Sequence, residues 1–120
     1  MIEAAKTYGC KSIGIEIVPE WVEYSRKAIQ LEKLESLAEI WQVNGFETNL
    51  SFADVVSVYY TKEGMSVLVP KLQKELKPGS RVISCKLPID DWIPDFQKRM
   101  YEYKVYLYNM PPKMKALPSL

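Results

Sequence analysis

Three places in this sequence put chemically capable side chains where a strand gives way to a loop or helix. Glu16 lies in the run SIGIEI and is followed at once by Val18-Pro19 and a helical stretch. A carboxylate at a strand end can accept hydrogen bonds from two adjacent hydroxyls, the way an acid grips a ribose in nucleotide-binding sheets. The same position also suits a solvated acid beside a helix N-terminus, where the helix dipole favours negative charge. Asn44 opens the stretch Asn44-Gly45-Phe46 after the next strand. Its side-chain amide can pair with the edge of an adenine, and Asn-Gly is equally a common turn pair. The third place is Tyr59-Tyr60, which ends the β-branched run DVVSVYY.

Composition narrows the chemistry further. The chain has 120 residues, 48% of them hydrophobic, which suits one domain with a packed core. A formal charge of +1 gives no general attraction to nucleic acid or to an anionic membrane. No apolar run approaches the roughly 18 residues of a membrane span. The opening MIEAAKTYG has no apolar signal core, so a soluble, cytoplasmic protein is expected. Histidine is absent, which removes Ser-His and Cys-His nucleophiles and the usual zinc sites. Nothing implies a metal. Cys10 and Cys85 are far apart and are expected as free thiols. Chemistry must therefore run on carboxylates, tyrosines, backbone groups or a bound cofactor.

The elements that must position these residues are legible from periodicity and punctuation. Residues 2–8 read as a helix closed by Gly9. Residues 12–17 read as a strand, and Pro19 opens a helix to about residue 33 with Val22, Ser25 and Ile29 on one face. Strands follow at 39–43 and at 54–60, the latter read as buried. Met65, Leu68, Val69, Leu72 and Leu76 form an amphipathic stripe ended by Lys77-Pro78-Gly79. Strands at 80–87 and 103–109 are separated by a loop holding Pro88, Asp90, Asp91, Trp92 and Pro94. The tail 111–120 is proline-rich and reads as irregular. Alternating strands and helices predict an α/β fold with a mostly parallel sheet and helices on its faces. Ligands in such sheets bind outside the carboxyl ends of the strands, where Glu16, Asn44 and Tyr59-Tyr60 all fall.

Taken together, several blocks resemble the seven-strand, S-adenosylmethionine-dependent methyltransferases. The chain is most similar to their small archaeal and mitochondrial protein-lysine members. The blocks are GIEIVPE (14–20), VNGFETNLSFADVVSVYY (43–60), PKLQKELKPGSRVIS (70–84), the Trp92-Ile93-Pro94 turn and KVYLY (104–108). The resemblance implies a Rossmann-like sheet with helices on both faces over residues 1–110. It also implies S-adenosyl-L-methionine as cofactor and a protein substrate presenting a lysine. By position, Glu16 would hold the ribose hydroxyls, and Asn44 with the backbone of Gly45-Phe46 would contact the adenine. Ser57 to Thr61, with Tyr59 and Tyr60, would meet the target lysine. Ring faces there could meet a sulfonium or ammonium cation, and alternation would bury one tyrosine and leave the other lining the crevice.

The family also opens with a first strand and a glycine-rich loop, D-x-G-x-G-x-G, that wraps the methionine end of the cofactor. Those features do not occur in this sequence. Three arrangements are open: a truncated form of a longer protein, direct pairing of strands 12–17 and 54–60, or a second chain supplying the missing strand. Two functions follow, a protein-lysine N-methyltransferase and a catalytically inactive methyltransferase-like domain that binds a partner protein. Asp90-Asp91 reads as a solvated loop or as a contact for a basic peptide. Lys104, Lys113 and Lys115 are candidate automethylation targets.

Overall fold

The computed structural model describes residues 1–115 and divides into two compact units, Met1–Thr48 and Asn49 onward. In the first, α1 (Ile2–Tyr8) ends where Gly9 turns left-handed, at φ 64°, and donates its N–H to the Ala5 carbonyl at 3.0 Å. A left-handed cap of this kind favours glycine. Strand β1 (Ser12–Glu16) then leads through Ile17-Val18 into α2 (Pro19–Leu31), which has Pro19 in its first turn as expected. Strand β2 (Ala38–Gln42) pairs with β1 in parallel, from Ser12 opposite Ala38 to Glu16 opposite Gln42. Ala5, Val22, Ile29, Ala38 and Ile40 form the buried core, with Ile2, Leu34 and Leu37 packed against it. Val22 and Ile29 come from the predicted face of α2, while Ser25 is half-buried.

The second unit begins with β3 (Val55–Val58), which is followed by α3 (Lys62–Glu75) and β4 (Arg81–Cys85). The predicted stripe holds: Met65, Leu68, Leu72 and Leu76 are buried and Val69 is half-buried. Strands β5 (Trp92–Ile93), β6 (Phe96–Met100), β7 (Tyr103–Asn109) and β8 (Lys113–Met114) complete the unit. The main sheet runs β3-β4-β7-β6, with β3 and β4 parallel and β7 antiparallel to both neighbours. The α/β class stands, but this sheet is mixed rather than mostly parallel. The hairpin β6–β7 causes the difference, because two strands joined by a two-residue turn can only be antiparallel.

Three further expectations change. Trp92-Ile93 is not a turn but a strand laddered to Lys113–Met114, so the tail read as irregular is ordered there; residues 116–120 lie outside the described residues. The run 54–60 is not a buried strand: β3 stops at Val58, and Val55 is 42% exposed. Among the described residues β3 pairs only with β4 and β1 only with β2, so the direct pairing of strands 12–17 and 54–60 is not made. With a ladder on one side only, β3 has the exposure of an edge strand.

Candidate functional site

Glu16 and Asn44 reach the same rim of the first unit. The register that sets Glu16 opposite Gln42 places Asn44 two residues beyond the carboxyl end of the neighbouring parallel strand. Adjacent strands lie about 4.8 Å apart, so the two side chains start from neighbouring strand ends. The Glu16 carboxylate is turned onto its own strand-to-helix junction. Its Oε1 accepts the Ile17 N–H at 3.2 Å and the Val18 N–H at 3.1 Å. These are donors that the start of α2 would otherwise leave to solvent. Oε2 has no partner among the described residues and remains an acceptor. The acid is therefore both a cap for its turn and a group held in a fixed orientation with one oxygen to spare.

Asn44 is likewise partly engaged. Its Oδ1 accepts the Phe46 N–H at 2.9 Å, and its main-chain carbonyl accepts from Thr48 Oγ1 at 2.8 Å and the Glu47 N–H at 3.1 Å. The side-chain oxygen closes an Asx turn, and the Nδ2 donors are left for a ligand. The Phe46 N–H, expected as a ligand contact with Gly45, is used inside that turn. The local sequence explains this: an Asn followed by Gly lets the chain bend back on the side-chain oxygen. Apolar side chains border the rim, Ile17 (57% exposed) and Val18 on one strand end and Val43 and Phe46 on the other. The run of isoleucine and valine continuing past Glu16 was the signal for this border, which residue-by-residue reading of polar groups passed over.

Tyr59 and Tyr60 belong to the second unit. Both lie beyond the end of β3, 63% and 39% exposed, so alternation buries neither. The strand ends before the pair, and Thr61 starts α3 directly, its Oγ1 accepting the Gly64 N–H at 3.1 Å. A Cβ added at Gly64 would stand 3.3 Å from the Tyr60 Cβ, so glycine is what lets Tyr60 lie against the first turn of α3. Asp90 and Asp91 are exposed, and the Asp91 carbonyl accepts the Lys115 N–H at 2.7 Å, which ties the loop to β8. Beside them Trp92 is buried edge-to-face on Tyr108 at 5.5 Å. The Tyr108 hydroxyl accepts the Ile89 N–H at 2.9 Å, and burial pushes its pKa up. This loop is therefore pinned to the core. Among the described residues no cluster of acids and cysteines could hold a metal ion, and no helix is long and apolar enough to cross a membrane.

The donor set at the first rim fits a nucleoside: an acceptor for hydroxyls, an amide donor and apolar borders for a base. Comparison with known proteins identifies the family. The family described as ANTKMT methyltransferase domain matches residues 1–96. A protein-lysine N-methyltransferase of Saccharolobus islandicus (strain REY15A) is 34% identical over 113 residues, covering 90% of this chain and 70% of that protein. A lysine N-methyltransferase of Rattus norvegicus, named for an ATP synthase component, is 31% identical over 115 residues, 92% of this chain. The chain spans 50% of that relative's length. The crystal structure of an RNA methyltransferase from Salinibacter ruber with S-adenosyl-L-homocysteine superposes with a TM-score of 0.89 at 32% identity, over 95% of this chain and 74% of that one. The chain belongs to the family of the ANTKMT methyltransferase domain, within the class I S-adenosylmethionine-dependent methyltransferases of the protein-lysine type.

Proposed function

We propose that this chain takes part in methyl transfer from S-adenosyl-L-methionine to a lysine side chain of a protein. The observation that carries the reading is the register placing Glu16 and Asn44 at neighbouring carboxyl ends of two parallel strands. In this reading Glu16 Oε2 accepts from the ribose hydroxyls, held in direction by the two N–H bonds on Oε1. Asn44 Nδ2 donates to the adenine, with Ile17 and Phe46 bordering the base. The cofactor supplies an activated methyl group on a sulfonium centre. The acceptor lysine must arrive unprotonated, against an ordinary pKa of about 10.4. In the second unit Tyr59 stands exposed at the end of β3, and its ring face can attract the lysine ammonium as the substrate arrives. A strand from another chain added to the open edge of β1 or β3 belongs to the same proposal.

Calorimetric titration with S-adenosyl-L-homocysteine tests the reading. Micromolar binding that weakens in Glu16→Gln supports it; no binding by the folded chain rejects the nucleoside site.

A further inference from the structure

The carboxyl-end rim of the second unit carries a row of cations that the fold does not need. Arg99 of β6 stands directly opposite Lys104 of β7, a like-charge pair. On the other side of β7 the register continues one step past Cys85 opposite Val105, and the Lys86 N–H donates to the Lys104 carbonyl at 2.9 Å. Lys86, one residue past the end of β4 and left-handed at φ 79°, thus stands level with Lys104 and Arg99 of the next two strands. All three are exposed, and none has an ion-pair partner among the described residues, nor has neighbouring Lys98. Glu102 in the hairpin turn is an acid close to Arg99 and Lys104 in the chain. Like charges placed opposite each other on a ladder are destabilising. Cations on an edge strand guard it against pairing, which accounts for Lys98 and Arg99 on β6. It does not account for Lys104 on the inner strand β7 or for Lys86 at the end of β4.

Two more features of this hairpin face outward. Tyr101 at its tip holds a left-handed φ of 55°, a conformation a tyrosine adopts at a cost, and the residue is 91% exposed. Tyr103 beside it is 43% exposed. The row also continues to the end of β3, where the family resemblance puts the target lysine: Val58 lies opposite Ser84, so Tyr59 and Tyr60 leave β3 beside Cys85 and Lys86. From β3 to β6 is three strand spacings, about 14 Å, the reach of about four residues of extended peptide.

We infer that Lys86, Lys104 and Arg99 bind carboxylate side chains of the protein substrate about two to four residues from its target lysine. Charge complementarity and continuity with the end of β3 favour an acidic peptide. The inference rests on the protein-lysine transferase reading.

The test compares two short labelled peptides by fluorescence anisotropy at low salt. One carries glutamates at the second to fourth positions from a central lysine, the other glutamines. The chain is expected to bind the acidic peptide about tenfold more tightly, and the triple variant Lys86→Gln, Lys104→Gln, Arg99→Gln to bind both alike. Should the triple variant fail to fold, Arg99→Gln alone must narrow the difference. S-adenosyl-L-homocysteine affinity stays unchanged in these variants, because Glu16 and Asn44 are untouched. Equal binding of the two peptides by the unsubstituted chain overturns the inference. So does a single-stranded RNA that binds in their place and loses affinity in the variants. A preference for the acidic peptide without any S-adenosyl-L-homocysteine binding supports the row and faults the transferase reading instead.

Discussion

Replacing Tyr108 by phenylalanine removes one oxygen and leaves one buried donor without a partner. The hydroxyl accepts the Ile89 N–H at 2.9 Å, and both residues are almost wholly buried, Tyr108 at 0% and Ile89 at 1% exposure. The phenylalanine ring fills nearly the same space and keeps its edge-to-face contact with Trp92, so lost packing is a minor part of the effect. A buried N–H stripped of its acceptor costs about 1–3 kcal/mol. With a urea slope of about 1–3 kcal/mol/M for small proteins, the unfolding midpoint should fall by about 1 M. Hydrogen exchange gives the sharper readout: the Ile89 amide should exchange faster in Tyr108→Phe. An unchanged midpoint together with an unchanged Ile89 exchange rate would refute the reasoning. It would mean that Ile89 finds another acceptor or that the hydroxyl does not hold this loop.

Glu16→Gln should weaken S-adenosyl-L-homocysteine binding about tenfold, because hydrogen bonds to a charged acceptor are stronger than those to a neutral one by roughly 1 kcal/mol or more; calorimetry showing less than a twofold change removes Glu16 from the site. Thr61→Ala deletes the side-chain cap of α3 and should cost about 1 kcal/mol in urea unfolding, with Thr61→Ser recovering most of it. Acid should destabilise the second unit through carboxyls whose partners favour the charged form, Glu75 and Asp95 among them. Lys71 chiefly, helped by the Leu50 N–H, holds Glu75 below its usual 4.5, and the Asn109 N–H and then Lys113 hold Asp95 below 3.8. Both pKa values are lower folded than unfolded, so their stabilisation is complete above the usual carboxylate range and is lost as pH falls through the depressed values. Thermal scans from pH 6 downward should show the loss begin near pH 4.5, and Glu75→Gln should flatten it. A loss of the same size in Glu75→Gln would assign the acid sensitivity elsewhere.

The features legible in the sequence are those set over a few residues. Gly9 closing α1, Pro19 opening α2 and the stripe from Met65 to Leu76 depend on backbone freedom, a missing N–H and helical spacing, all local properties. Placing Glu16 and Asn44 at strand ends was legible for the same reason, since Pro19 and Asn44-Gly45 mark locally where each strand gives way. What only the tertiary structure decided depends on partners distant in the chain. FQKRM, residues 96–100, has every side chain exposed and no apolar alternation; it is a strand because β7 offers it an open edge. Lys113–Met114 is ordered because Trp92–Ile93 lies opposite, some twenty residues away in sequence. Tyr59 and Tyr60 escape burial because β3 stops at Val58, where Thr61 is already capping the next helix. The Asx turn that occupies Asn44 Oδ1, and the junction that occupies Glu16 Oε1, fix which atoms remain for a ligand. Residue type names a possible chemistry, and the hydrogen bonds already made in the folded chain decide how much of it is left.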